Sequence, residues 1–298
     1  MAIKFVPYIE ILKWNFMKLK RLLFVALLMF SFSTMRAQTI NFATYNMRND
    51  NNSEDSTHGN GWKQRYPVIA SLIRFHDFDI FGTQECLYHQ LQDISKELPG
   101  YEYYGIGRDD GKHAGEHSAI FFKKDKFQLL GHGDFWLSQT PDKPSLGWNA
   151  TCCNRICSWV YLKDKKSGKK FYVFNAHYDY QKDLARNESS KLILKEIKKI
   201  AGTQPVIFMG DLNGGNETSW YKMVANSGFL KDTYQEAKHP YVLNGSFNDF
   251  GSEINSDEII DHIFSSKQFT VLKWGILSDT YHGKYPSDHF PVMAELKL

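Results

Sequence analysis

The chain has 298 residues, of which 42% are hydrophobic, 15% aromatic and 23% charged, a composition that fits a globular protein with a large core and excludes a disordered or fibrous chain. Its formal net charge of +3 is concentrated at one end: six of the 36 basic residues and one of the 33 acidic residues lie in 1–37, which leaves 30 basic against 32 acidic residues beyond. A protein that grips long nucleic acid would carry a basic excess against the phosphates, and residues 38–298 carry none.

The first element reads as an address. "MKLKRLLFVALLMFSFSTMRAQ" (17–38) places Lys18, Lys20 and Arg21 ahead of an 11-residue apolar run, Leu22 to Phe32. That length suits a signal-peptide core and falls short of the roughly 20 residues of a spanning helix. The expectation is an N-terminal extension and signal peptide over 1–37, with the signal starting near Met17 and ending at Ala37. Export to the periplasm or the outside follows, and an uncleaved membrane anchor is the alternative. No compositional break divides 38–298, which is expected to be one domain.

Strand-like and helical stretches then alternate. "TINFATYN" (39–46) has the alternation of a half-buried strand and ends at Asn46. "WKQRYPVIASLIRF" (62–75) repeats apolar residues at helical spacing, and "FDIFGTQE" (78–85) is a strand ending at Glu85. "HSAIFF" (117–122), "CSWVYL" (157–162) and "FYVFNAHYDY" (171–180) read as strands, with the basic run "KDKKSGKK" (163–170) as a solvated hairpin turn. "DLARNESSKLILKEIKKI" (183–200) is the clearest helix, with Asp183 as its N-cap. "PVIFMGDLNGG" (205–215) is a buried strand that turns polar at Asp211 and Asn213, and "TSWYKMVANSG" (218–228) is a helix stopped by Gly228. A polar, turn-rich stretch over 235–257 is expected to be a surface loop, and "IIDHIF" (259–264) and "SDHFPVMAEL" (287–296) are further strands. This order argues for a layered α+β or α/β fold over a helix bundle or an all-β sandwich.

The polar strand ends share a pattern. Asn46, Glu85, Asn175 with His177, Asp211 with Asn213, Asp261 with His262, and Asp288 with His289 all sit at the edge of an apolar run. Each alone reads as a turn or a capped strand end, because Asp and Asn are common there. Together they argue for one site, since functional groups of sheet folds gather where rigid strands meet open loops. Hard oxygen donors with histidine and no cysteine suit Mg²⁺, Mn²⁺ or Ca²⁺ rather than zinc. The four cysteines, Cys86, Cys152, Cys153 and Cys157, are too few for a disulfide scaffold; one disulfide and simple burial are both open. GxGxxG, Walker A and GxSxG motifs are absent, so the donor set points to water attack on a phosphate ester.

The ordered set "TYNMR", "TQE", "NAHYD", "GDLN", "IDHIF" and "SDHFPV" resembles the endonuclease/exonuclease/phosphatase superfamily, the deoxyribonuclease I-like fold, over 40–298. "FWLSQTPDKPSLGWNATCCNRICSW" (135–159) resembles a bacterial branch of it. The resemblance implies an α+β fold, a four-layer α/β/β/α sandwich of two facing mixed β-sheets flanked by helices. It implies Glu85 as principal metal ligand, with Asn46 and Asp288 beside the ion, expected to be Mg²⁺ with Mn²⁺ or Ca²⁺ as alternatives. His289, oriented by Asp261, would be the base on water or a contact to the phosphoryl oxygen. Asp211 and Asn213 would position water and phosphate, and His177 would stabilise charge or protonate the leaving oxygen. Asn175 would bond a phosphoryl oxygen, and Glu116 would hold His177.

Arg186 and, with less weight, Arg155 are candidate phosphate clamps, against a reading as ordinary paired residues. His262 would face the opposite side of its strand from Asp261 and pack. Two departures from the family pattern bear on substrate: Tyr180 stands where a second histidine is common, and Asn149 where aspartate is common. The implied function is a secreted Mg²⁺-dependent phosphoesterase acting on a small molecule, a lipid head group or nucleic acid, monomeric and without a stable protein partner. The alternatives are a nuclease and a non-catalytic binding module on the same fold.

Overall fold

A computed structural model describes residues 39–242 and 244–298; the expected leader over 1–37 lies outside them. The described strands divide into two six-stranded sheets. The chain builds β1 (Thr39–Asn46), β2 (Ile80–Gln84), β3 (Tyr101–Tyr104) and β4 (Ile120–Lys123) of the first sheet. It then builds all of the second: β5 (Phe127–Trp136), β6 (Ile156–Asp164), β7 (Lys170–His177), β8 (Val206–Asp211), β9 (Leu230–Asp232) and β10 (Asp261–Ser266). Finally β11 (Thr270–Ile276) and β12 (Val292–Lys297) return to the first. Across the sheets the orders are β11-β12-β1-β2-β4-β3 and β5-β6-β7-β8-β10-β9.

Both sheets are mixed for the same reason. β1 pairs with β2 in parallel, as β7 does with β8, and parallel neighbours need a crossover long enough to hold a helix. The first crossover carries α1 (Ser53–Thr57) and α2 (Trp62–Phe75); after β2 comes α3 (Tyr88–Glu97). The second crossover is α4 (Asp183–Ala201), and α5 (Ser219–Ala225) and the short α6 (Thr233–Glu236) follow β8. Three apolar cores separate the four layers. Phe42, Ile80, Val173, Ile207 and Ile263 pack between the sheets. Ile69, Ile73 and Leu91 of the first helical layer pack on Phe81 and Phe121. Ile193, Ile197 and Tyr221 of the second pack on Phe174 and Phe208. The result is the α/β/β/α sandwich.

β1 and α2 occupy the bounds read from periodicity, Pro67 within α2 included. The differences lie at edges and ends. β3, β5, β9 and β11 carry weak alternation; β5 is an edge strand with a register shift between Leu129 and Gly131. Lys182 is the N-cap of α4, and Asp183 is its first residue, where a carboxylate favours the helix dipole. β12 starts at Val292, so Asp288 and His289 lie in the loop before it.

The glycine of "GDLN" is required. A Cβ on Gly210, at φ +152, would stand 2.0 Å from the Ala176 carbonyl oxygen of β7, a backbone atom that cannot swing aside. Gly210→Ala should destabilise the protein by about 3 kcal/mol in a denaturant titration. Gly100→Ala, with nothing within 4 Å of its Cβ, should stay within about 0.5 kcal/mol.

Candidate active site

Strand pairing aligns the polar ends. In the parallel β7/β8 pair His177 lies opposite Asp211, and in the antiparallel β8/β10 pair Asp211 lies opposite Asp261. β1 and β2 end together at Asn46 and Gln84. At this edge of the sandwich a cavity of about 650 Å³ is lined by Glu85, His177, Asp211, Asn213, Asp288 and His289, among others. The loop read as solvent-facing, 235–257, folds over this site: Phe247 pairs with His289 by a β-bridge, and their rings lie 5.0 Å apart.

Asp211 is the hub. It is buried, its Oδ1 accepts from the Asn213 backbone N–H at 2.9 Å, and its Oδ2 accepts from Asn46 Nδ2 at 3.0 Å. The same Oδ2 lies 3.6 Å from His177 Nε2 and 3.8 Å from His289 Nε2. Asn46 Nδ2 also donates to Glu85 Oε1 at 3.1 Å, while Glu85 Oε2 accepts from the backbone and side chain of Asn49 at 3.1 and 2.8 Å. His289 Nδ1 is 2.8 Å from Asp261 Oδ2.

The two histidines are held in different protonation states. Burial alone would lower the pKa of His289, but Asp261, then Asp211 and Asp288, raise it to about 10. Burial lowers that of His177 to about 3, and the charge of Arg155 adds to the effect. At neutral pH the first is an imidazolium and the second a neutral imidazole. Asp288 is pushed up to about 6, first by burial; His289 opposes the shift and Glu85 adds to it.

Backbone strain concentrates here. Of eight described non-glycine residues with left-handed φ, four line the cavity: Arg48 (φ 55), Glu85 (φ 65), Asn213 (φ 48) and Asp249 (φ 45). Such conformations cost of order 1–3 kcal/mol each and persist where the surroundings over-determine them.

Two expected roles are corrected, those of Asn175 and Arg186, and the contacts of Asn46 are defined. Asn175 is buried outside the cavity, with Nδ2 donating to the Thr83 and Ala119 carbonyls at 2.9 Å and Oδ1 accepting from Gln84 at 2.7 Å. It shares a strand face with His177 but sits two residues deeper, so it ties the sheets together and does not reach a phosphate. Asn46 is also fully buried, and its Oδ1 accepts from the Arg48 backbone N–H at 3.0 Å. It orients the carboxylates of Glu85 and Asp211 through its Nδ2, while its Oδ1, with one bond accepted, keeps a second lone pair. Arg186 lies on α4 outside the cavity; it donates to the Asp179 carbonyl at 3.0 Å, pairs with Asp183 and stacks 4.3 Å over Trp220.

The remaining residues fall into place by geometry. Glu116 pairs with Arg108 at 2.5 Å and faces His177 Nδ1 at 3.7 Å, too far for a hydrogen bond. Arg155 lines the cavity, as does the exposed Tyr180. His262 is packed as expected, 3.1 Å from the Gly214 carbonyl and against Tyr221. Cys152 and Cys153 are disulfide-bonded to each other and line the cavity, whereas Cys86 and Cys157 are free and buried. Arg48 and Asn49 were findable as the residues that end and follow "TYNMR"; Arg108 and Phe247 carry no periodic signal.

A hard divalent cation fits this site. Asp211, Asp261 and His289 offer ligand atoms within 4.8 Å of one another, and of these His289 Nδ1 and Asp261 Oδ2 are bonded to each other. The carboxylates of Glu85, Asp211 and Asp288 line the cavity, as do those of Glu116, Asp249 and Glu258, an oxygen-rich set that suits Mg²⁺ or Mn²⁺. The two cysteines that line the cavity, Cys152 and Cys153, are tied in a disulfide.

Comparison with known proteins agrees with this geometry. The model of the Endonuclease/Exonuclease/phosphatase family matches residues 43–289. The structure of a mannosyl-6-phosphatase from Bacteroides thetaiotaomicron is 47% identical, covers 87% of this chain and 100% of its own, and superposes with a TM-score of 0.84. An endonuclease/exonuclease/phosphatase from Bacteroides vulgatus is 37% identical, with 88% and 99% covered and a TM-score of 0.82. The 3′-5′-exoribonuclease subunit Ccr4 of the CCR4-Not complex of Emericella nidulans is 22% identical over 87% of this chain and only 52% of its own length.

Asn175→Ala would remove the Gln84 amide's bond to Asn175 and the side-chain donors to the Thr83 and Ala119 carbonyls, and should cost about 2 kcal/mol while leaving Mg²⁺ binding to the folded variant unchanged in calorimetry. The His289–Asp261 pair has a pH signature in metal-free protein. The folded pKa of about 10 exceeds the ordinary 6.5, so its stabilisation is complete below about pH 6.5 and is lost as pH rises through 10. In EDTA the unfolding midpoint should fall across that range, and Asp261→Asn should flatten the fall.

Proposed function

Because the chain belongs to the endonuclease/exonuclease/phosphatase family, we propose that it is an exported, Mg²⁺-dependent hydrolase that removes phosphate from a small phosphorylated sugar. The observation that carries the reading is Asp211 Oδ2, set 3.6 Å from a neutral imidazole and 3.8 Å from a charged one beside the carboxylates of Glu85 and Asp288. Glu85, Asp288 and Asp211 would hold the cation, which supplies charge neutralisation at the phosphoryl oxygens and at the departing alkoxide.

The chain's own groups divide the remaining work. Asp211 is the anionic acceptor for the proton of attacking water, and Asn213, bonded to it through its backbone N–H, holds the turn that aims it. His289, kept as an imidazolium by Asp261, donates to a phosphoryl oxygen from Nε2. His177 is neutral and donates an N–H to developing charge without giving up its proton. Glu116 and Arg108 stand behind its Nδ1.

The substrate reading draws on the mannosyl-6-phosphatase, which is 47% identical. The cavity of about 650 Å³ suits a small molecule, and Tyr180 offers an exposed ring at its wall for a sugar face. The charge balance of 38–298 supports a small substrate over a long polyanion. Export is proposed from the basic and apolar order of 17–37. The likeness to an exoribonuclease subunit keeps nucleic acid as the second reading.

The test is one panel with the purified protein and Mg²⁺: mannose 6-phosphate, other sugar phosphates, RNA and plasmid DNA, read by phosphate release and gel. Sugar phosphates should turn over fastest, EDTA should abolish turnover, and His289→Ala and Asp211→Asn should each lower kcat by about 10²–10⁴-fold. Faster cleavage of RNA or DNA would move the assignment to a nuclease. Undiminished activity in His289→Ala would sink the mechanism.

A further inference from the structure

Arg155 is the group the mechanism leaves unused. It stands immediately before β6, is only 5% exposed and lines the cavity. Its Nε and Nη1 find no hydrogen-bond partner among the described residues. Arg108, also buried and on the same wall, is tied to Glu116 at 2.5 Å, although its Nε too is unpartnered. Leaving a guanidinium buried without a counterion costs several kcal/mol, and donors of this kind are normally satisfied.

We propose that Arg155, seconded by Arg108, forms an anion subsite that takes the third terminal oxygen of a phosphomonoester dianion and so selects monoesters over diesters. The inference rests on the hydrolase reading above and names the ester class of that site. Arg155 and Arg108 line a pocket together with His177, Glu85 and Glu116, and both lower the pKa of His177. A phosphate in the cavity meets the unpartnered donors of Arg155 on this wall.

Ester type then decides the contact. A monoester carries three terminal oxygens and two negative charges near neutral pH; a diester has two such oxygens and one charge. With two oxygens held by the cation and His289, only the monoester keeps an anionic oxygen for a third partner. A guanidinium suits that partner because its planar fork donates along two parallel N–H bonds. The Tyr180 ring lies 5.9 Å from the Arg155 guanidinium carbon, within cation–π range, and helps to hold the fork in place.

The decisive experiment compares p-nitrophenyl phosphate with bis(p-nitrophenyl) phosphate, which share a leaving group, in the Mg²⁺-loaded wild type, Arg155→Met and Arg155→Lys. Arg155→Met should lose about 100-fold in kcat/KM on the monoester and less than about fivefold on the diester. Arg155→Lys, with charge but no fork, should fall between them on the monoester. Calorimetric titration with inorganic phosphate should show affinity weakened about tenfold or more in Arg155→Met. Equal losses on both esters, or no loss on the monoester, would overturn the subsite. A wild type that prefers the diester would overturn it together with the sugar-phosphate substrate, and leave only the metal-dependent phosphoesterase chemistry standing. If the wild type turns over neither aryl ester, the sugar-phosphate panel decides the hydrolase reading, and unchanged phosphate affinity in Arg155→Met still overturns the subsite. Should Arg155→Met fail to fold, Arg155→Lys decides by the same two ratios.

Discussion

A single buried carboxylate, Asp211, holds the site together. It ends the central strand of the second sheet, and pairing on both sides brings His177 and Asp261 opposite it. Asn46 of the first sheet reaches across to donate to it and to Glu85, so one carboxamide couples the two sheets through two anions. Since side chains alternate in direction along a strand, a slip of one residue in β8 would turn Asp211 away from every one of these partners. Register and site chemistry are thus the same constraint.

The crowding of anions at this edge explains the rest of the local structure. Arg65 of α2 is buried and donates to the carbonyls of Met47, Arg48 and Pro286. It thereby pins the loop after β1 to the loop that carries Asp288 and His289. Ser287 Oγ donates to the Asn46 carbonyl and ties the same loops again. The strained backbone at Glu85 and Asn213 is sustained by such over-determination. Surroundings also divide the histidines: the carboxylates around His289 outweigh its burial and keep it charged, while burial, aided by Arg155, keeps His177 neutral. The same residue type thereby performs two tasks a few ångströms apart.

Phosphatases and nucleases of this family share a fold, so substrate choice has to reside in the walls of the cavity and not in the strands beneath it. In this chain those walls are Tyr180, Arg155, the Cys152–Cys153 pair and the loop bearing Phe247 and Asp249. The basic run 163–170 forms the turn between β6 and β7, and the cavity lies at the other end of β7, beyond His177.

By itself the sequence determined a layered fold of α+β or α/β type, the bounds of β1 and α2, and the set of strand ends that meet. It did so because burial imposes periods of two and 3.6 on any chain that forms a core. Strand parity also told Asp261 from His262, since adjacent residues face opposite sides. Parity gives direction and not depth, however, so Asn175 and His177 look alike in sequence although only His177 reaches the cavity. Whether Asn46 presents oxygen or N–H, and whether Arg186 faces substrate or Trp220, depends on partners dozens to hundreds of residues away. Arg108, Phe247 and the unpaired Arg155 come from loops with no period to read. Only the tertiary structure brought them to one cavity, because loop positions follow from where the packed sheets place their ends.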